Sequence, residues 1–326
     1  MKKWFVLALT SWLSVVMVQA QSASPSPAPS KTPEPSPSPV LSVTQTTQET
    51  ASTGSNAFTQ ADLSVLVGNV QRPNGIVWFD DQLYTACNGD WTLYEVNSVS
   101  GETRTFIFGI QNAHTLYAEK TEAGFNLWVP DFDTNRIMLL DQNRSAPRVI
   151  AEVDTPWGIA PLGDDFMISN VRGNALLKLS RTGELETLLD GLRSPAGLAQ
   201  DAERVYIANN GSARRAIEWL PIQALLEGNV AELTPRPLVS GLQNASGLVM
   251  GPDGFLYLTY ALGTRGVVGR IDPTQCVEGG CTNEQVEIVV YTDLQAPLAG
   301  LAISPDRRLF MHTIFRPEIY WVDLDG

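Results

Sequence analysis

The stretch "RPNGIVWFDDQLYTACNGDWTLYEVN", residues 72–97, decides the reading of this 326-residue chain. It runs from a small residue, a glycine and an aliphatic residue into an apolar stretch, an acidic turn at Asp80 and Asp81, a second apolar stretch, a polar turn and a third. Short runs rich in β-branched and aromatic residues, punctuated by Gly, Asn and Asp, predict short strands joined by tight turns. Taken alone, PNG and CNGD also resemble a chemically loaded site. The rest of the chain argues otherwise, because it repeats the pattern.

Further copies are "NAHTLYAEKTEAGFNLWVP", "PWGIAPLGDDFMIS", "PAGLAQDAERVYIA", "ASGLVMGPDGFLYLT" and "LAGLAISPDRRLFMH". The six anchor positions are Gly75, His114, Gly158, Gly197, Gly247 and Gly300, spaced by 39, 44, 39, 50 and 53 residues. That period belongs to a supersecondary unit rather than a domain. Copies continue with a third strand ("RIMLLD", "ALLKLS", "AIEWL", "EIYWVD") and a fourth ("PRVIAEV", "LETLLDGL", "RPLVSGL"). Four short strands per repeat predict an all-β, six-bladed β-propeller over 59–326. The last copy stops after its third strand, while "LSVLVGNV", 63–70, reads as a fourth strand placed before the first copy. The N-terminal strand is therefore expected to complete the last blade and remove two open sheet edges.

With "LWVPDFDTNRIMLLD", 127–141, the pattern resembles the NHL and SMP-30 type of six-bladed propeller, also described as TolB-like. The likeness covers about 60–326 and concerns architecture. The SMP-30 and gluconolactonase group it resembles are metal-dependent lactone hydrolases, with ligands often standing directly before the repeat glycine. The corresponding residues here are Asn74, Ala113, Trp157, Ala196, Ser246 and Ala299. Only Asn74 could coordinate, and a hard cation wants several oxygen ligands with negative charge among them. No metal, cofactor or catalytic residue is assigned from the sequence.

His114 is the one non-glycine anchor, and its imidazole reads either as packing or as an acid, base or ligand. His312 reads as packing, and Asp131 and Asp133 as turn residues. No nucleophile or phosphate-loop motif occurs. Loops from strand two to strand three carry Arg172, Arg214 with Arg215, Arg265 and Arg316, while Arg136 opens a third strand. They predict either solvated loops or a positive rim able to grip an anionic group. Asn74, His114, Trp157, Asn170, Asn209 and Tyr260 are expected nearer the axis as stacking and hydrogen-bonding groups.

Lys2, Lys3 and the apolar run to "VQA" read 1–20 as a secretory signal, with an uncleaved anchor as the alternative, and 21–58 as a Pro/Ser/Thr-rich linker. Cys276 and Cys281 are close enough to staple one loop, and Cys87 reads as a buried small hydrophobe. A net charge of -13 argues against nucleic acid as partner. The expectation is a monomeric secreted, periplasmic or cell-surface propeller, without membrane insertion after signal cleavage. It would bind a protein, glycan or small molecule without catalysis; a metal-dependent hydrolase or lyase of the SMP-30 or virginiamycin B lyase type, using His114 and Asn74 with the metal, is the alternative.

Overall fold

The computed structural model describes residues 57–228, 230 and 233–326. The expected signal and all of the expected linker up to residue 56 lie outside the described residues. The strands form six antiparallel sheets. Blade one is Pro73–Phe79, Gln82–Cys87, Thr92–Asn97 and Thr103–Phe108. Blade two is Tyr117–Thr121, Gly124–Asp131, Arg136–Asp141 and Arg148–Glu152. Blade three is Pro156–Leu162, Asp165–Asn170, Ala175–Leu179 and Leu185–Leu189. Blade four is Pro195–Gln200, Arg204–Asn209, Ile217–Pro221 and Arg236–Ser240. Blade five is Leu248–Met250, Leu256–Leu262, Arg265–Ile271 and Glu287–Gln295. Blade six takes Leu298–Ile303, Arg308–Thr313 and Ile319–Asp323, and its outer strand is Ser64–Val67, antiparallel to Ile319–Asp323 with Val67 opposite Ile319.

Two short strands add to this plan. Phe58–Thr59 runs parallel along the outer strand of blade five, Phe58 opposite Val290, so β-structure begins one residue earlier than 59. Cys281–Thr282, from the insertion in blade five, runs parallel along the outer strand of blade four. Neither has a periodic signal, because two residues are too few to alternate.

The core is divided among the seams between blades. Strand alternation sends successive side chains to opposite faces of a blade, so each strand feeds two seams. Ile76 joins Leu83, Ala302 and Phe310 between blades six and one, whereas Val77 packs with Tyr84, Phe106 and Phe125 between blades one and two. Trp128 and Phe166 fill the next seam, with ring centroids 4.4 Å apart. Arginines cap several seams: Arg181 lies 4.9 Å from the Phe166 ring while gripping both carboxylate oxygens of Glu119 at 2.8 and 2.9 Å.

The anchor glycines are required by close approach around the axis. A Cβ on Gly197 would stand 2.2 Å from the carbonyl oxygen of Ser246, and one on Gly158 would stand 2.5 Å from that of Ala196. Next to Gly158, the Ser169 hydroxyl accepts from the Gly158 N–H and donates to the Ala196 carbonyl, both at 2.6 Å, which ties blade three to blade four.

The starts of these innermost strands are also pinned by the preceding loops. Asn135 and Asn174 end their loops at φ 57° and 51°, a conformation Asn tolerates. Their side-chain oxygens accept from the N–H of Thr155 and of Ser194, each at 2.8 Å. Each of these loops thus fixes where the next blade's innermost strand begins. The asparagine in "TNRI" is there for that purpose.

Candidate functional site

Three successive blades bring Asn74, His114 and Trp157 together at the start of their innermost strands. In blade two the chain bends at His114 and the strand begins only at Tyr117. The freed imidazole lies flat on the Trp157 indole, with centroids 3.5 Å apart and planes 3° apart. Phe132 meets both rings edge-on, at 5.1 Å from His114 and 5.9 Å from Trp157. Thr115 fixes the adjoining backbone by donating to the Trp157 carbonyl at 2.6 Å.

The hydrogen bonds at His114 have a direction. Asp133 offers only acceptors, so the Asn112 group 3.0 Å from it is the amide N–H2. The Asn112 oxygen then faces Asn74 and accepts from its amide nitrogen. The Asn74 oxygen consequently faces His114 Nδ1 at 3.0 Å, and Nδ1 carries the proton. The chain His114–Asn74–Asn112–Asp133 therefore selects one tautomer and leaves Nε2 with its lone pair. Burial pushes the His114 pKa down to about 3, so the ring is neutral at pH 7. A neutral imidazole of this kind accepts a hydrogen bond or a proton.

Asp133 joins this chain from a turn that sequence spacing explains equally well without it. Its neighbour Asp131 is a turn residue as expected: fully buried, it accepts from the N–H groups of Gln111, Asn112, Asp133 and Thr134 at 2.7 to 3.2 Å. It holds the segment leading to His114. Asn112 and Phe132 were not singled out by the sequence. The only available signal was "QNAHT", where Asn112 precedes the odd anchor by two residues.

Other expected axial residues are engaged elsewhere. The Asn170 oxygen accepts from Gly173 N–H at 2.6 Å within its own turn. Asn209 is buried, donates to Glu218 at 2.7 Å and to the Arg215 carbonyl at 2.8 Å, and accepts from Arg193 N–H at 3.0 Å. Tyr260 is packed in the seam between blades four and five, where burial pushes its hydroxyl up to about 12. Alternation puts these side chains in loops or seams and leaves few to face the axis.

The rim arginines are exposed, but two are already paired: Arg172 with Asp154 at 3.7 Å, and Arg265 with Asp293. Arg214 and Arg316 are exposed without an ion pair among the described residues. Arg215 holds the buried Glu218. His312 is fully buried, neither nitrogen has a partner, and burial lowers its pKa to about 3. Cys87 is buried, which raises its thiol pKa, and Cys276 is bonded to Cys281. Among the described residues no three His, Cys, Asp or Glu side chains are grouped to hold a metal, and no helix is long and apolar enough to cross a membrane.

Comparison with solved structures gives the fold its relatives. A gluconolactonase from Xanthomonas campestris superposes with a TM-score of 0.61 at 14% identity, covering 79% of this chain and 88% of that one. Regucalcin, a calcium-binding protein from Agrobacterium tumefaciens, gives 0.58 at 13% identity, over 82% and 95%. A streptogramin B lyase gives 0.56 at 16% identity, over 79% and 96%. This chain shares their six-bladed fold. No family model matches the sequence. No curated protein matches it either. Against calcium-binding regucalcin, the positions before this propeller's anchors do not fit a hard cation, since Asn74 is their only amide, no carboxylate stands among them, and that amide is committed on both sides.

Proposed function

We propose that this propeller is a secreted or surface-displayed binding protein whose site is the neutral His114 stacked on Trp157. The observation that carries this reading is the hydrogen-bond chain to Asp133, which presents Nε2 as an acceptor beside an aromatic wall. A matching ligand offers a hydroxyl or N–H to Nε2 and an apolar or sugar-like face to the rings. Arg214 and Arg316 extend the reading to ligands with an anionic group. Export is supported by the N-terminal apolar run and by the Cys276–Cys281 disulfide.

A second reading is favoured by the fold shared with a gluconolactonase and a lyase. It makes His114 Nε2 a general base in a hydrolase or lyase. The donor set before the anchors does not fit a metal.

The test is a calorimetric and turnover screen of lactones, neutral heterocycles and acidic glycans. Binding without turnover, lost in both His114→Ala and Trp157→Ala, supports the first reading. Turnover abolished by His114→Ala supports the second. Ligands that bind equally well to both variants overturn the site.

A further inference from the structure

The outer edges of blades four and five are covered, and they are covered in the same way. Phe58–Thr59 lies parallel to Val290 and Tyr291 on blade five, and Cys281–Thr282 lies parallel to Val239 and Ser240 on blade four. Val290 and Val239 are each the first residue after the bulge in their outer strand, and both are fully buried. Each covering strand runs straight into one tight helical turn, Gln60–Asp62 or Asn283–Gln285. The Thr59 N–H and hydroxyl donate to the Asp62 carboxylate at 2.7 and 2.8 Å, and those of Thr282 donate to the Gln285 side chain at 2.7 and 2.8 Å. An apolar residue, a threonine and an Asp or Gln three positions later thus form an edge-docking segment that this chain uses twice. The reciprocal cap fixes the turn in advance, so a strand of only two residues is enough to seat it.

Blade one repeats the receptor without the segment. Ile107 is the first residue after the bulge in Thr103–Phe108, and among the described residues no strand pairs with the outer side of that strand. Ile107 is only half-buried, and Phe108 is 69% exposed. The next residue, Gly109, and its counterpart on blade four, Gly241, have φ +99° and +91°. A Cβ on Gly241 would stand 2.5 Å from Asn283 of the docked turn, whereas one on Gly109 would meet nothing within 4 Å. Blades two and three carry Glu152 and Asp190 in the place of Phe108, charges of the kind that discourage strand addition. Blade six has Gly68 there, which offers no side chain to pack.

Trp91 marks the same corner. Its carbonyl accepts from the Gly109 N–H at 2.8 Å. It closes its loop at φ 57°, in the position that blades two and three give to Asn135 and Asn174. Those asparagines pin the next blade, which an indole has no oxygen to do. A bulky residue in left-handed backbone is strained, and Trp91 remains 55% exposed, so neither local conformation nor packing accounts for it.

We infer that the outer edge of blade one at Ile107, Phe108 and Gly109 docks an extended segment of a partner protein, added as a parallel fifth strand. The segment is an apolar residue and a threonine followed by a turn capped by Asp or Gln. Its apolar residue enters the seam of blades one and two beside Phe106 and Ile107, as Phe58 and Cys281 enter theirs. Phe108 and Trp91 supply the exposed aromatic contact. Both capped segments of this kind among the described residues are already in use, so a second copy would have to open its own edge to donate one. The site lies on the outermost strand, away from the axis and independent of His114.

The probe is the synthetic peptide AFTQADL, 57–63 of this chain, with an N-terminal fluorophore, added to the full-length protein. Its anisotropy should rise saturably. Phe108→Asp, which copies the edge of blade three, should abolish binding, and Trp91→Asn should weaken it about tenfold, while His114→Ala leaves it unchanged. Both substituted side chains are exposed, so melting temperatures should stay at the wild-type value. The same peptide N-methylated at its phenylalanine and threonine has lost ladder donors and should bind about tenfold more weakly or worse. Hydrogen exchange in the complex should slow at 103–109. No saturable rise, full binding by Phe108→Asp, equal binding of the N-methylated peptide, or slowing confined to another blade's edge overturns the inference. So does a wild-type dimer in sedimentation that Phe108→Asp dissociates, which would give the edge to a second copy.

Discussion

His114 and Trp157 come from neighbouring blades, yet their rings lie 3.5 Å apart and within 3° of parallel. Asn74, from the blade on the other side, holds the same imidazole through Nδ1 at 3.0 Å. One side chain thus takes its orientation from two seams, and its tautomer from a carboxylate three hydrogen bonds away.

That chain is testable by its effect on the ring. In wild-type protein, ¹⁵N NMR of His114 should show a protonated Nδ1 and an unprotonated Nε2 at pH 7. Asn74→Ala should shift the spectrum toward the Nε2–H tautomer, and Asp133→Ala should give a mixture. An unchanged spectrum in both variants would remove the chain from the argument.

Acid should destabilise the protein through its histidines before its carboxylates. Both His114 and His312 have folded pKa values lowered by burial to about 3, against an ordinary 6.5. Below pH 6.5 the unfolded chain binds protons that the folded chain refuses, so this stability is complete above 6.5 and is lost as pH falls toward 3. The slope reaches about 1.4 kcal/mol per pH unit per histidine, less for His114, whose edge is partly exposed. Urea midpoints measured from pH 7 to 4.5 should fall, and His312→Leu should flatten the curve. A pH-independent midpoint would contradict this account.

Gly197→Ala should be among the most damaging single changes, since its Cβ would sit 2.2 Å from the Ser246 carbonyl oxygen. A loss of about 3 kcal/mol or more is expected from steric overlap at a seam. Gly228→Ala is the comparison, because its Cβ meets nothing within 4 Å and only φ +70° opposes it. Similar melting temperatures for the two variants would refute the close-approach argument.

Removing 57–70 should open the ring at blade six and uncover the outer edge of blade five. The expected result is a melting temperature lower by at least about 10 °C and concentration-dependent aggregation. Light scattering during a thermal ramp gives the answer, and an unchanged ramp would count against closure.

Reduction of Cys276–Cys281 should loosen blade four as well as blade five, because Cys281–Thr282 lies along Val239 and Ser240. Hydrogen exchange at 236–240 should accelerate after reduction, with a stability loss near the low end of the usual 2–4 kcal/mol for so short a loop. Protection unchanged at 236–240 would deny the coupling.

Much of this protein was determined locally. Six repeats, five of them anchored on a glycine, at a spacing of 39 to 53 residues suffice for six four-stranded sheets, because strand, turn and anchor signals lie within a few residues of one another. The short loop between Cys276 and Cys281 made that pairing legible for the same reason. Which side chains reach the axis was decided by tertiary structure. Asn209 and Tyr260 have the residue types of a site, but strand alternation and seam packing commit one to Glu218 and bury the other. Asn112 and Asp133 look like ordinary loop residues, and they acquire a role only because the ring sets blade two beside blades one and three. A repeat period is a property of neighbours along the chain, whereas a hydrogen-bonded contact between Asn74 and His114, 40 residues apart, exists only once the blades are packed.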